Sequence, residues 1–346
     1  MKPTWNTPNP STSSGQAYPS PVTGDGIKEI YRLMAHDTKY KRLKDLSTEE
    51  YILPGTTVCG GCGGLEALRL FHKVLGKNVV FVNAAGCFTL LALFPYSPFR
   101  GSWLYTTMAS APAGAQGVRD ALDILIASGR LKPEDDMKVV VLAGDGSTYD
   151  MALSSTSGAI FRNLDFYYFC YDNEAYGNTG MQMSSASPFG SMTTTSRPTS
   201  LTPTGTINHK KDIFEIWRAH KPPFVATVSP RHPVDLSEKV RRSMQYKGPK
   251  LFIAFSPCPT GWLYDSSLTI KIAKLAVETG VWALKEAVYG DMKHTYIPYR
   301  LKPVEEYLLK QGRFNHLFSP LRQDRILEDI QNDINNYWRQ YRQTAD

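Results

Sequence analysis

Short, wholly apolar runs punctuate this chain, and stretches in which apolar residues recur every three to four positions lie between them. The runs at 79–82, 139–142, 166–171, 225–228 and 251–255 suit strands buried on both faces of a parallel sheet. Helical spacing is legible at 65–75, with Leu68, Phe71 and Leu75 on one face, and at 109–127, where Val118, Leu122 and Leu125 are set among small residues. The small residues of 109–127 suit close packing on the sheet or on another subunit. Further helices are expected at 152–161, 210–219, 234–244 and 268–278, with Lys239, Arg241 and Arg242 on the wet side of the fifth. Strand and helix alternate from 79 to 278 without an internal repeat. This order predicts an α/β fold, a mostly parallel open sheet with helices on both faces.

Segments without periodicity set the boundaries. Residues 1–24 are rich in Pro, Ser, Thr and Gly and read as an extended arm. A short helical stripe (Ile27, Ile30, Tyr31, Met34) and a charged connector follow, closing a first region at 1–50. The main domain is expected at 51–290 and a polar, aromatic extension at 291–346. In that extension Ser319-Pro320 reads as N-cap and first residue of a terminal helix. Its Ile326, Ile330, Ile334, Tyr337 and Tyr341 stripe would dock on the body or a neighbour. Residues 94–103 read as an irregular loop. Residues 181–206, dominated by Ser, Thr, Pro and Gly, form a loop long enough to be functional or disordered.

Chemistry enters where the strands stop. The run at 139–142 ends at Gly144-Asp145-Gly146, glycines that let the backbone turn tightly against a ligand. The run at 166–171 ends at Asp172-Asn173, 29 positions beyond Gly144. A right-handed crossover puts both carboxyl ends on one sheet edge, where Asp145 and Asn173 can meet at a hard cation that also binds a diphosphate. An ordinary βαβ unit with polar turns would account for Gly-Asp-Gly alone. Cys59 and Cys62 form a CxxC in a glycine-rich loop, and Cys87 and Cys258 also lie in loops. Four such thiolates suit an iron–sulfur cluster, a zinc ion or no ligand. Cys170 sits inside an apolar run and reads as a small core residue.

The pairing of Gly144-Asp145-Gly146 with Asn173 resembles the thiamine-diphosphate-binding motif, a pyrophosphate-type domain. The string from Asp172 to Gly180, DNEAYGNTG, resembles the β subunits of pyruvate:ferredoxin oxidoreductases, within the 2-oxoacid:ferredoxin oxidoreductase family. The likeness covers about residues 50–318, including SPCPTGW around Cys258 and KPVEEYLLKQGRF up to Phe314. It implies Mg2+ held by the side chains of Asp145 and Asn173 and the carbonyl of Ala175. Gly144, Gly146 and Ser147 would cradle the diphosphate, with Asn178 facing the cofactor. Cys59, Cys62, Cys87 and Cys258 would hold one [4Fe–4S] cluster, with Cys87 and Asn178 nearest the chemistry. The implied reaction is oxidative decarboxylation of a 2-oxoacid to acyl-coenzyme A, or its reverse, with electrons passing to ferredoxin. An α-type subunit would supply the activating glutamate, and further γ/δ-type subunits the exit clusters. Glu66 of this chain reads instead as a helix N-terminal charge.

Gly55-Thr56-Thr57-Val58 and Phe88-Thr89-Leu90 depart from the family's pattern around the cysteines. These departures fall where the substrate and cluster surroundings are expected and leave the 2-oxoacid open: pyruvate is the first expectation, with oxalate, a branched 2-oxoacid or an aryl glyoxylate as alternatives. A non-redox thiamine-dependent decarboxylase and a zinc-stabilised assembly subunit are the competing readings. The 181–206 loop would cover the active site. Arg197 there would meet a substrate carboxylate or the phosphates of the acyl acceptor, or more simply be a solvated arginine.

Composition narrows this little. The 346 residues are 42% hydrophobic and 21% charged, ordinary for a globular protein. A net charge of +7 favours an acidic partner or just a basic surface. No basic cluster interleaved with aromatics points to nucleic acid. No leader pattern and no run long enough to span a membrane is legible, so a cytoplasmic place is expected. Five cysteines are too few for a secreted disulfide scaffold.

Overall fold

A computed structural model describes residues 38–93 and 95–342. The arm, the stripe through Met34 and Phe94 lie outside the described residues. Eight strands form one sheet: β1 (Val79–Ala84), β2 (Ser102–Thr106), β3 (Lys138–Gly144), β4 (Tyr167–Asp172), β5 (Phe224–Val228), β6 (Lys250–Phe255), β7 (Leu284–Val288) and β8 (Asp291–Tyr296). Their order is β2-β1-β3-β4-β6-β5-β7-β8. The first six run parallel, and β7 and β8 are added antiparallel at one edge. Every residue of β1, β4, β5 and β6 is buried, which is why these strands read as unbroken apolar runs.

Seven longer helices accompany the sheet: α1 (Gly63–Leu75), α2 (Ala111–Ala127), α3 (Leu153–Phe161), α4 (Ile213–Ala219), α5 (Pro233–Ser243), α6 (Thr269–Glu278) and α7 (Asp324–Arg342). On one face α1 sets Phe71 against Phe169 and Phe252, with ring centroids 5.0 and 5.1 Å apart, and α5 packs beside it. On the other face Ala111, Ala115 and Leu122 of α2, Ala159 of α3 and Trp217 of α4 join Val141, Ala143, Tyr168 and Cys170 in one core. Cys170 is thus the small core residue expected.

From β1 the chain moves outward to β2, then returns past β1 to β3. The connections diverge at the carboxyl ends of β1 and β3, the switch point where open parallel sheets bind ligands.

Several elements differ from the sequence expectation. The loop expected at 94–103 ends in the start of the edge strand β2, and residues 104–106 continue that strand. Strand β2 has one neighbour and is half exposed, so it carries no continuous apolar run. Strands β7 and β8 form a hairpin through Tyr289 (φ 49°) and Gly290 (φ 89°), left-handed residues that suit a type I′ turn. The expected boundary at 290 falls in that turn. Lys285 and Glu286, both buried, hid β7 from an apolar-run reading. Lys239 is not on a wet face. It is fully buried, its ammonium 2.7 Å from Asp235 and 2.9 Å from the Thr227 carbonyl. Arg241 and Arg242 are likewise largely buried, against Glu238 and Glu286. These carboxylates supply the compensation that lets three cations leave water. Helix α4 begins at Ile213, which frees Lys210 and Lys211 for the site. Helix α7 begins at Asp324, and Ser319-Pro320 is a cis peptide ahead of it. The anchor of α7 is Trp338, absent from the expected stripe, whose indole donates to the Gly280 carbonyl at 2.9 Å.

Candidate active site

Asp145, at the end of β3, is fully buried, and a π-helical turn, Gly146–Met151, starts directly after it. Gly146 is required: a Cβ there would lie 2.3 Å from the Tyr176 ring. Residues Asp172 to Ala175 turn away from the end of β4, with Glu174 at φ 63°. One atom of the Asn173 amide lies 2.6 Å from Asp145 Oδ1 and 2.8 Å from the Ala175 carbonyl. As nitrogen it donates to both. As oxygen it would stand with Asp145 Oδ1 and the Ala175 carbonyl as the set of oxygens that the resemblance implies for a hard cation. Towards the carboxyl ends of β1 and β4 the Asn83 side chain and the Tyr171 hydroxyl are buried without a close hydrogen-bond partner. Asn83 was passed over in the sequence because it reads as the end of a strand.

The turn is held from behind by a buried charge network. Lys210 lies 2.7 Å from Asp172 and 3.0 Å from Glu174, and Arg313 lies 2.6 Å from Glu174. Tyr149 donates to Asp172 at 2.6 Å, and the Arg313 guanidinium stacks 3.7 Å from the Trp262 ring centre. The Trp262 indole in turn donates to the Asn173 carbonyl at 2.9 Å. Two cations thus offset Asp172 and Glu174 and leave Asp145 as the uncompensated carboxylate. Burial, then Asp172, pushes the Asp145 carboxyl well above its usual range. Burial also acts upward on Glu174, but Lys210 and Arg313 outweigh it and hold that carboxyl low. Glu174 therefore contributes stability above its unfolded pKa that is lost as pH falls through the folded one. Replacing Arg313 with methionine should destabilise the fold by about 3–5 kcal/mol in urea unfolding, the usual cost of breaking a buried pair. Arg313→Met with Glu174→Gln should recover part of that loss. Equal stability of Arg313→Met and the parent would show that the network does not hold the turn.

The four loop cysteines come to the same sheet edge. A hydrogen bond from Gly63 N–H to the Pro257 carbonyl, 3.1 Å, draws the CxxC loop onto the loop of Cys258. Cys258 Sγ accepts from the Gly261 N–H at 3.3 Å. Cys87 Sγ lies 3.8 Å from the Asn173 side-chain nitrogen, and a Cβ on Gly177 would stand 3.2 Å from that sulfur. The Cys62 and Cys87 thiols are pushed up to about 12, first by burial and then by the other loop thiols. Among the described residues, no three His, Cys, Asp or Glu side chains converge closely enough to hold a single metal ion.

Other expected residues are placed less centrally. The Ser147 hydroxyl is committed to the Met108 carbonyl at 2.5 Å, leaving its backbone N–H at the start of the π turn. Asn178 and Arg197 are exposed. Glu66 lies in the first turn of α1 and pairs with Arg69. The 181–206 loop does fold over the site, where the Ser184 hydroxyl donates to Asp145 Oδ2. Lys210 and Arg313 went unnoticed because nothing local marks them. Only the stretch ending at Phe314, which resembles the family's carboxyl end, hinted at Arg313.

Residues 84–254 match the family model of the C-terminal, thiamine-pyrophosphate-binding domain of thiamine pyrophosphate enzymes. Fold and motif thus define a thiamine-diphosphate enzyme domain. Cys59, Cys62 and Cys258 lie outside that match. The pyruvate synthase subunit PorB of Methanothermobacter thermautotrophicus is 44% identical over 78% of this chain and 91% of its own length. PorB of Pyrococcus furiosus is 34% identical over 86% and 95% of the two chains. Its ketoisovalerate oxidoreductase subunit VorB is 35% identical over 88% and 97%. The chain belongs to this PorB and VorB family of 2-oxoacid:ferredoxin oxidoreductase β subunits.

Proposed function

We propose that this chain is the catalytic β subunit of a coenzyme A-acylating 2-oxoacid:ferredoxin oxidoreductase, with pyruvate as its 2-oxoacid. The geometry that carries the reading is the contact between Asn173, at the oxygen triad, and Cys87, at the thiol group. It would set a diphosphate–cation site beside a redox site. Asp145, Asn173 and the Ala175 carbonyl would hold Mg2+, and Gly144, Gly146 and the Ser147 N–H would receive the diphosphate at a helical N-terminus. Thiamine diphosphate, when bound, supplies an electron sink for decarboxylation of a 2-oxoacid. The chain's own residues orient and neutralise: the Lys210–Arg313 network fixes the turn, and the Ser184 loop covers Asp145.

Cys59, Cys62, Cys87 and Cys258 would hold a [4Fe–4S] cluster. A CxxC joined by two cysteines that stand alone and distant in sequence suits a cluster clasped from several loops better than zinc, whose sites usually have a second close pair. A bound cation would bring the raised thiol pKa values down and favour the ligating thiolates. The 44% identity to the Methanothermobacter PorB, against 35% to the Pyrococcus furiosus VorB, supports pyruvate, and the name "subunit" borne by these relatives supports a hetero-oligomer. Its partners would be an α-type subunit, γ/δ-type subunits, ferredoxin and coenzyme A, in the cytoplasm. No described helix is long and apolar enough to cross a membrane.

Single Cys→Ser variants test the cluster. Loss of at least one iron and of the reduced-state paramagnetic signal is expected at each of the four loop positions, and neither at Cys170. A full cluster in Cys258→Ser, or its loss in Cys170→Ser, would overturn the assignment. A panel of 2-oxoacids assayed with the assembled complex should give the highest kcat/KM for pyruvate.

A further inference from the structure

A second cavity, of about 400 Å³, lies on the other side of the charge network from the crevice. Its wall is largely apolar, with Phe189, Phe214, Ile253, Trp282, Ile330 and Ile334 among its residues, so α7 closes one side. It is of a size that binds small organic molecules. Nothing in the reaction proposed above uses it.

Two donors in this wall stand out. The first is Lys285, 6% exposed, carried into the core by β7. Other buried lysines are closely partnered: Lys239 lies 2.7 Å from Asp235, and Lys250 pairs with Asp165. The nearest carboxylates to Lys285 are at 3.7 Å (Glu215) and 3.8 Å (Asp212), beyond good hydrogen-bond length. Both are already engaged, Glu215 with Arg218 at 2.7 Å and Asp212 in capping α4. The Lys285 ammonium instead sits 4.3 Å from the centre of the Phe214 ring. Burial lowers its pKa, as expected for an incompletely paired ammonium. The second donor is Trp282, 7% exposed, whose indole N–H is buried without a hydrogen-bond partner. Lys210 is a poorer anchor, since Asp172 and Glu174 already hold it at 2.7 and 3.0 Å.

A buried ammonium and a buried N–H donor in one apolar cavity call for an acceptor-only anionic group on an apolar body. We propose that this cavity binds a small monocarboxylate with an aromatic or branched apolar body, its carboxylate accepting from Lys285 and Trp282 and its body lying against Phe214 and α7. The apolar body takes the larger share of the cavity and the carboxylate fixes its orientation.

The test is calorimetric titration of the assembled complex with phenylacetate, using phenylacetamide as the uncharged control. The parent should bind phenylacetate at least tenfold more tightly than phenylacetamide. Lys285→Met, which keeps the length of the side chain and removes the charge, should erase that preference. Ile334→Trp fills the cavity from the helix side without touching either donor, and should abolish binding of both compounds. It decides the matter should Lys285→Met fail to fold. Absence of phenylacetate binding, equal affinity for acid and amide, or undiminished binding in Ile334→Trp would each overturn the proposal.

Discussion

Asp145→Ala is expected to lose thiamine diphosphate and Mg2+ on purification while keeping its fold. The affinity should fall by more than about 100-fold, since residues that merely support metal ligands are already worth about 10–100-fold. Asp145 is buried, and it is the carboxylate that Lys210 and Arg313 leave uncompensated. In the absence of a cation its charge is a cost to the fold, because burial and Asp172 raise its pKa. A raised carboxyl pKa means that the folded state binds more protons than the unfolded one, so this cost grows as pH rises from the unfolded pKa toward the folded value. Asp145→Asn should therefore melt at or above the temperature of the cofactor-free parent at neutral pH. The parent should gain stability on addition of Mg2+ and thiamine diphosphate, and the variant should not. Parent-like retention of the cofactor in Asp145→Ala would remove the basis of the site.

The second large effect concerns the chain by itself. Expressed without other subunits and reconstituted anaerobically, it should reduce a viologen with pyruvate at least about 100-fold more slowly than the assembled complex, the usual worth of a positioned proton-transfer group. Activation of thiamine needs a carboxylate beside its aminopyrimidine ring, away from the diphosphate. The acids around the site are committed elsewhere. Asp172 is bound to Tyr149 and Lys210, Glu174 to Lys210 and Arg313, and Asp150 to Tyr176 and Lys211. Glu66 pairs with Arg69 on α1. The proposed α-type subunit would supply the group. Turnover by the lone chain at the rate of the complex would show that the machinery is complete within it.

Much of this protein follows from local sequence. Strands buried on both faces are apolar wherever no partner compensates a polar group, so β1, β3, β4, β5 and β6 announced themselves, and with them the parallel sheet. The residues that end those strands pointed to the proposed oxygen ligands, because a βαβ crossover brings successive carboxyl ends to one edge whatever the rest of the chain does. Cys170 was separable from the other cysteines for the same reason: its neighbours are strand-core residues and theirs are turn residues.

Tertiary structure alone decided what compensates the charges. A lysine on an amphipathic helix reads as solvated, yet Lys239 is fully buried, because Asp235 and a β5 carbonyl replace water around it. Strand β7 was illegible because Lys285 and Glu286 are buried through contacts far along the chain, and β2 because an edge strand needs no continuous apolar run. The hold on the 172–175 turn comes from Lys210 and Arg313, the latter 139 residues beyond Glu174. No local pattern encodes such a pair, since its energy depends on two charges leaving water together at a distance that only the folded chain sets.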